Sequence, residues 1–287
     1  MSMRFISVKR VSRSSGGSFL SLFVLLVLAA FMALPLVLVI SNAFKPIGEI
    51  YHYPPRFFVR QPTLKNFEQL FSIMSSTWVP FSRYIFNSLF ITAAGTAGHV
   101  LFASLCAYSL AKHEFRGKKL MNGMVYLSLM FSPVIVSVTS YVLMTRLGFV
   151  NTYWAAILPA FQSSIGLYLL RQFMDQMVPD ALLEAARIDG ATEFTLYARI
   201  VMPIVKPAWL TLIILSVQSL WNTPSTYLYS ETLKTLPITI RQLMSAGIAR
   251  AGSGAAVTLL LLTVPIATFV ITQNQIIETM GTSGLKD

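Results

Sequence analysis

Residues 184–203 read EAARIDGATEFTLYARIVMP, with three acids and two arginines, inside a chain of 287 residues that is 55% hydrophobic and 11% charged, with a mean hydropathy of +0.65. Ordinary soluble domains carry roughly 25% charged residues, so this is a polar insert in an integral membrane protein. Local chemistry predicts its shape. Pro179 suits a first helical position, Asp180 is favourable beside a positive helix end, and Ala181 to Asp189 is rich in helix formers, so a short helix is expected just after Val178. Gly190 supplies the backbone freedom for a sharp turn. Thr192 can cap a second short helix from Glu193 to about Val201, before Pro203 and Pro207 open the next apolar block. On the first helix Glu184 and Ile188 share a face, while Ala185 and Ala186 offer a small-residue surface that a groove in another protein can approach closely. An ordinary amphipathic surface loop is the plainer alternative.

Around the insert, apolar residues come in six blocks of about twenty, the length an α-helix needs to cross a hydrocarbon core of about 30 Å. They run approximately from Phe19 to Ser41, Ile85 to Ala111, Leu120 to Arg146, Tyr153 to Phe173, Ile204 to Trp221 and Ala255 to Gln275. The first follows a basic leader (Arg4, Lys9, Arg10, Arg13). Its length and the lack of an A-x-A site favour an uncleaved helix over a signal peptide. Lysine and arginine set the orientation. With the N-terminus inside, Arg4, Lys9, Arg10, Arg13, Lys112, Arg116, Lys118, Lys119, Arg171, Arg187, Arg199, Lys206 and Lys286 are cytoplasmic, and so is the insert. Lys45, Arg56, Arg60, Lys65, Arg83, Arg146, Lys234, Arg241 and Arg250 are then outside, mostly on two long loops.

Several chemistries are excluded. The one cysteine, Cys106, permits neither an intrachain disulfide nor a cysteine metal cluster, and reads as a packing residue in the second block. His52, His99 and His113 are far apart, and no catalytic spacing or phosphate-binding G-x-x-x-x-G-K-[ST] loop occurs. His99, within the second block, reads as a helix-contact residue that needs a partner at that depth. All eleven acids fall in loops or at helix ends, which argues against a proton-driven carrier. Sodium coupling through backbone carbonyls and a non-transporting scaffold both stay open.

The spacing E-A-A, three residues, G, nine residues, I-x-x-P is met by Glu184, Ala185, Ala186, Gly190, Ile200 and Pro203. It resembles the EAA loop by which permease subunits of binding-protein-dependent ATP-binding cassette (ABC) importers couple to their ATPases. Met202 stands where the family usually has leucine. FKPIGEIYHYPPRFFVRQPTLKNFEQLF (44–71) and the tail NQIIETMGTSGLKD (274–287) are similar to the smaller maltose-type permease of the carbohydrate importers. WNTPSTYLYSE (221–231) keeps Trp221 and Asn222 of a W-N-D-F pattern but has Thr223 at the aspartate position. The resemblance implies an all-α type I importer permease with six transmembrane helices and both termini cytoplasmic, in a bacterial inner membrane. It is expected to divide into residues 1–84 (leader, first helix, outer loop), a five-helix core at 85–276 with the EAA loop at 179–203, and a cytoplasmic tail at 277–287. Its implied partners are a second homologous permease, two cytoplasmic ATPase subunits that bind ATP and Mg, an extracellular solute-binding protein and an oligosaccharide. The resemblance implies no catalytic role, metal, cofactor or nucleic-acid binding for this chain.

Polar residues within spans are costly in lipid and should face protein or water. Gln162, Ser163 and Ser164 midway along the fourth block, with Gln218 and Asn222 toward the outer end of the fifth, are therefore candidates for the substrate pathway or for helix-to-helix hydrogen bonds. Ala93, Ala97, Gly98, Ala103 and Ala107 suit close helix packing. Pro133, Pro159 and Pro265 are possible kinks. The outside carries six more bases than acids, reversing the usual bias. Arginines such as Arg83, Arg146 and Arg250 either snorkel to lipid headgroups or steer an acidic, uronate-containing oligosaccharide.

Overall fold

The computed structural model describes residues 15–75, 78–222, 227–244 and 251–283, and all regular structure among them is helical. The leader arginines and lysine, Thr223, Arg250 and Lys286 lie outside the described residues. The helices are α1 (Ser15–Phe44), α2 (Ile47–Ile50), α3 (Lys65–Ser75), α4 (Phe81–Lys112), α5 (Lys118–Met130), α6 (Pro133–Arg146), α7 (Tyr153–Ile157), α8 (Ser164–Met177), α9 (Asp180–Ile188), α10 (Glu193–Thr195), α11 (Met202–Ile204), α12 (Lys206–Asn222), α13 (Leu236–Met244) and α14 (Ala251–Ser283).

Among the described residues, four stretches without a sharp bend are long and apolar enough to cross a membrane: Phe19–Phe44, Phe81–Lys112, Tyr153–Met177 and Ala251–Gln273. The third and fifth expected spans differ from simple rods. The block from Leu120 to Arg146 is two helices, α5 and α6, bent by 110° where Ser132 adopts extended backbone before Pro133. Proline disfavours helical backbone at the residue before it and lacks the N–H for the ladder, so α6 starts there. The fifth block is α12 alone, set at 78° to the helical run Glu193–Ile204 that precedes it. The fourth block also changes character in the middle. α7 passes into a 3-10 turn over Leu158–Phe161, Gln162 and Ser163 leave helical geometry, and α8 restarts with Ser163 capping the Gly166 N–H. Pro265 and Pro35, by contrast, stay inside continuous helices.

Helix α4 is the axis of the bundle and packs against α8, α12 and the 3-10 turn. Its 32 residues span about 48 Å at 1.5 Å per residue, so its two ends lie far apart. At the C-terminal end Ala103, Ala107, Leu170, Met174, Leu183, Leu196, Val201 and Leu212 form the main core. Toward the N-terminal end of α4 a second core joins α3, α4, α12, α13 and α14 through Leu70, Met74, Tyr84, Trp221, Ile240 and Val257. Of the small residues expected to pack, Ala103 and Ala107 are buried and Gly98 lies under the Phe161 ring, whereas Ala93 and Ala97 are exposed. Cys106 is exposed too, and faces a cavity instead of a neighbouring helix. Helix α1 packs on α14 and is otherwise open along its apolar length.

His99 is buried as expected, with Nδ1 2.5 Å from Ser216 Oγ on α12. Among the described residues its Nε2 has no hydrogen-bond partner, and it presses on Gly166, where an added Cβ would lie 2.3 Å away. Glycine there lets α8 close on α4.

Candidate functional site

The quoted stretch folds as its chemistry predicts. Helix α9 begins at Asp180, with Pro179 one position earlier than expected, as the extended N-cap. Gly190 takes φ +84°. Around it the Gly190 N–H donates to Arg187 O at 3.0 Å and the Ala191 N–H to Ala186 O at 3.0 Å, the Schellman pair that ends a helix through a left-handed residue. Thr192 then accepts from the Thr195 N–H at 3.3 Å and starts the second helix. That helix widens into a π-turn over Leu196–Val201 before α11 and the bend at Val205. Pro203 is exposed and Ile200 is half-buried against the main core.

The loop is fastened to the C-terminal end of α4 and α8. Lys112 Nζ donates to Asp180 Oδ1 at 2.8 Å and to Val178 O at 2.7 Å. The Glu193 carboxylate accepts from Tyr108 Oη at 2.8 Å and from Arg187 Nε at 2.9 Å, and His113 Nε2 lies 3.4 Å away. Tyr197 reaches Ser104 at 2.7 Å. Arg187's hydrogen bond, then Tyr108's, hold the Glu193 carboxyl below its ordinary range, with burial opposing them; Lys112 does the same to Asp180. Below this polar latch, Leu183, Leu196 and Val201 are sunk in the core and Ala186 packs against it. The outward side keeps Glu184 and Ala185 exposed, beside Ile188 at 87% and Phe194 at 74% exposure. Tyr108, Lys112, His113 and Glu193 had no signal in the sequence, because the partners come from segments as far as 85 residues apart.

The structure brings together three of the five pathway candidates. Gln162, Ser163 and Ser164, at the break between the 3-10 turn and α8, line a cavity of about 200 Å³ with Phe102, Cys106, Phe161 and Leu167. Ser164 Oγ accepts from Ser128 Oγ at 2.7 Å, and Gln162 Nε2 donates to Ser140 Oγ at 3.5 Å. These bonds span α5, α6 and the fourth block. Gln162 and Ser164 thus bond between helices, Ser163 caps α8, and all three border open volume. Gln218 and Asn222 lie one turn apart and exposed on α12, and do not line that cavity.

Residues 99–279 match the sequence model of the binding-protein-dependent transport system inner membrane component. The chain belongs to this family. It is 32% identical to protein LplC of Bacillus subtilis over 67% of this chain and 63% of LplC. It is 32% identical to the arabinooligosaccharides transport system permease protein AraQ of Halalkalibacterium halodurans over 75% of this chain and 78% of AraQ. Identity to the polygalacturonan/rhamnogalacturonan transport system permease protein YtcP of Bacillus subtilis is 28%, over 80% and 81%. In fold it is similar to a chain of a bacterial ABC transporter involved in the import of the acidic polysaccharide alginate, with a TM-score of 0.73 at 17% identity over 91% of this chain and 98% of that one. The protein is thus a multi-pass membrane component of an ABC transport system.

Proposed function

We propose that this chain is one of two permease subunits in an ATP-driven importer of oligosaccharides, and that the loop at 179–203 is its coupling element. The observation that carries the reading is the latched loop. One side is fixed by Glu193, Arg187, Tyr108, Lys112 and Asp180, and the other presents Glu184, Ala185, Ile188 and Phe194 to a partner. A displacement of α9 by a docked ATPase is passed to α4 and α8 through short hydrogen bonds and a filled core, neither of which yields without cost. Two states are needed for transport, and the ATPase must hold the loop differently in each. The bends before α6 and α12 and the break at Gln162 are the places where helices reorient. Gln162, Ser163 and Ser164 offer hydroxyl and amide groups of the kind that bind sugar hydroxyls, on a wall completed by Phe102 and Phe161.

Oligosaccharide as the cargo is supported by the names of the relatives and by the outer-loop resemblance. Topology follows the lysine and arginine bias, with the coupling loop and both termini cytoplasmic. ATP and Mg belong to partner ATPase subunits, a second permease completes the pathway, and a solute-binding protein delivers cargo from outside. The test is reconstitution of the complex in proteoliposomes with ATP inside and an oligosaccharide panel outside. ATP-dependent uptake of at least one oligosaccharide, lost in Glu184→Arg, is expected. Uptake that persists without ATP and follows a sodium gradient would point to an ion-coupled carrier instead.

A further inference from the structure

Where α3 gives way to α4, at the end of the bundle opposite the coupling loop, lies a cavity of about 570 Å³ lined by Trp78, Val79, Pro80, Ser82, Arg83, Phe86 and Thr232. Its size is within the range of small-ligand sites, about 300–1,000 Å³. Trp78 is 91% exposed on the loop before α4. The Arg83 side chain is fixed by neutral acceptors only. Nε donates to Thr232 O at 3.4 Å and one Nη to Tyr153 Oη at 3.2 Å, while the guanidinium carbon stands 5.9 Å from the centre of the Phe86 ring. The support is itself anchored. Tyr153 Oη donates to Asn87 Oδ1 at 2.8 Å, and Asn87 Nδ2 donates to Thr232 O and Lys234 O at 2.9 Å each. Among the described residues Arg83 has no carboxylate partner, so three of its five N–H groups and its whole charge are left for something else. No side chain caps the start of α4, which adds a positive helix end two residues away.

Glu231, next in sequence to Thr232, is paired to Lys234, and Glu49 accepts from the Arg60 and Gln61 N–H groups. We propose that Trp78 and Arg83 form an entry subsite for an acidic sugar unit of a uronate-containing oligosaccharide. The indole face receives the C–H face of a pyranose ring, and the guanidinium fork receives its carboxylate. A neutral sugar would leave the cation unmatched. A phospholipid headgroup has the charge too, and the test below distinguishes it from a sugar carboxylate. This subsite rests on the reading of the chain as an oligosaccharide permease with the N-terminal end of α4 outward.

The test uses the complete complex in nanodiscs of phosphatidylcholine, with and without phosphatidylglycerol. Saturation-transfer NMR is recorded with an α-1,4-linked galacturonate trisaccharide and with maltotriose. Transfer is expected to the galacturonate and not to maltotriose, weakened about tenfold or more in affinity by Arg83→Gln, as for loss of a charge-assisted bond, and lost in Trp78→Ala. The milder Arg83→Lys and Trp78→Phe should keep part of the signal, which separates a binding effect from misassembly. Absence of transfer in the unaltered complex overturns the proposal, as does transfer unchanged by Arg83→Gln. Suppression of transfer by phosphatidylglycerol in proportion to its content would mark a headgroup site and overturn it as well. ATP-driven uptake of a saccharide without any Arg83-dependent signal sinks the subsite alone, whereas a complex that takes up no oligosaccharide sinks the transport reading.

Discussion

Tyr108, in the last turns of α4, donates a 2.8 Å hydrogen bond to Glu193, the first residue of the helix that follows the Gly190 turn. The bond ties α4 to the surface loop at 179–203. Glu193 is half exposed, at 51% for its side chain, so water screens the interaction, and its net worth is on the order of 1 kcal/mol. Tyr108→Phe and Glu193→Gln should each lower sugar transported per ATP while ATP hydrolysis continues. A double-mutant cycle on transport should show the two losses to be non-additive; fully additive losses would mean the bond carries no coupling.

Acid should release the same latch, with a definite sign. The Glu193 carboxyl is held below its ordinary value of 4.5, first by Arg187 and then by Tyr108. A depressed carboxyl stabilises the folded loop above its ordinary value, and that contribution fades as pH falls through the lowered one. Hydrogen exchange of residues 179–203, corrected for intrinsic rates, should therefore rise as pH falls below the ordinary carboxyl value. In Glu193→Gln the acid-dependent rise should be smaller.

Gly190 isolates a backbone effect. A Cβ there meets nothing within 4 Å, so the cost of substitution is that of φ +84° alone, about 1–2 kcal/mol for an ordinary residue and less for asparagine. Transport by the assembled complex should rank Gly, Asn, Ala, Val in descending order. Equal rates for asparagine and valine would show that the turn need not be left-handed for coupling.

At Gly166 the cost is steric. A methyl group there would sit 2.3 Å from His99 Nε2 and 2.7 Å from Leu212, an overpacking of about 1–3 kcal/mol. Gly166→Ala should lower the unfolding midpoint in detergent by several degrees. Gly123→Ala, with open space around the new Cβ, should leave it in place.

Topology is open to a direct probe. In a Cys106→Ala background, Trp78→Cys should react with an impermeant maleimide in intact cells and Thr192→Cys only after lysis. The reverse pattern would invert the orientation.

The loop at 179–203 is legible because its determinants are local: Gly190, Thr192 and Asp180 act within a turn of where they stand. The helices over Phe19–Phe44, Phe81–Lys112 and Ala251–Gln273 are legible from apolar length. What the sequence concealed depends on distance or on averaging. The break at Gln162 and Ser163 is two residues inside a block that remains apolar on average, so its hydropathy gives no warning. Pro133 did mark a discontinuity, but composition alone cannot distinguish a kink within one rod from the 110° fold between α5 and α6. In the sequence Arg83 is one of several outer charges. Its importance comes from Thr232 and Tyr153, at separations of 149 and 70 residues.

Helix α1 is long, apolar and joined to the bundle chiefly along α14, and the family's sequence model begins only at residue 99. Within this chain its apolar side away from α14 touches little, and packing there imposes few shape requirements on leucine, valine, isoleucine or phenylalanine. Such a helix can drift: shuffling the exposed apolar residues between Phe19 and Met32 should be nearly neutral for folding of the subunit. A single exchange at Asn87, Ser104 or His99, each bonded inside the bundle, should not. Mutational tolerance along the chain is therefore divided by helix, with α1 the permissive member and α4 the strict one.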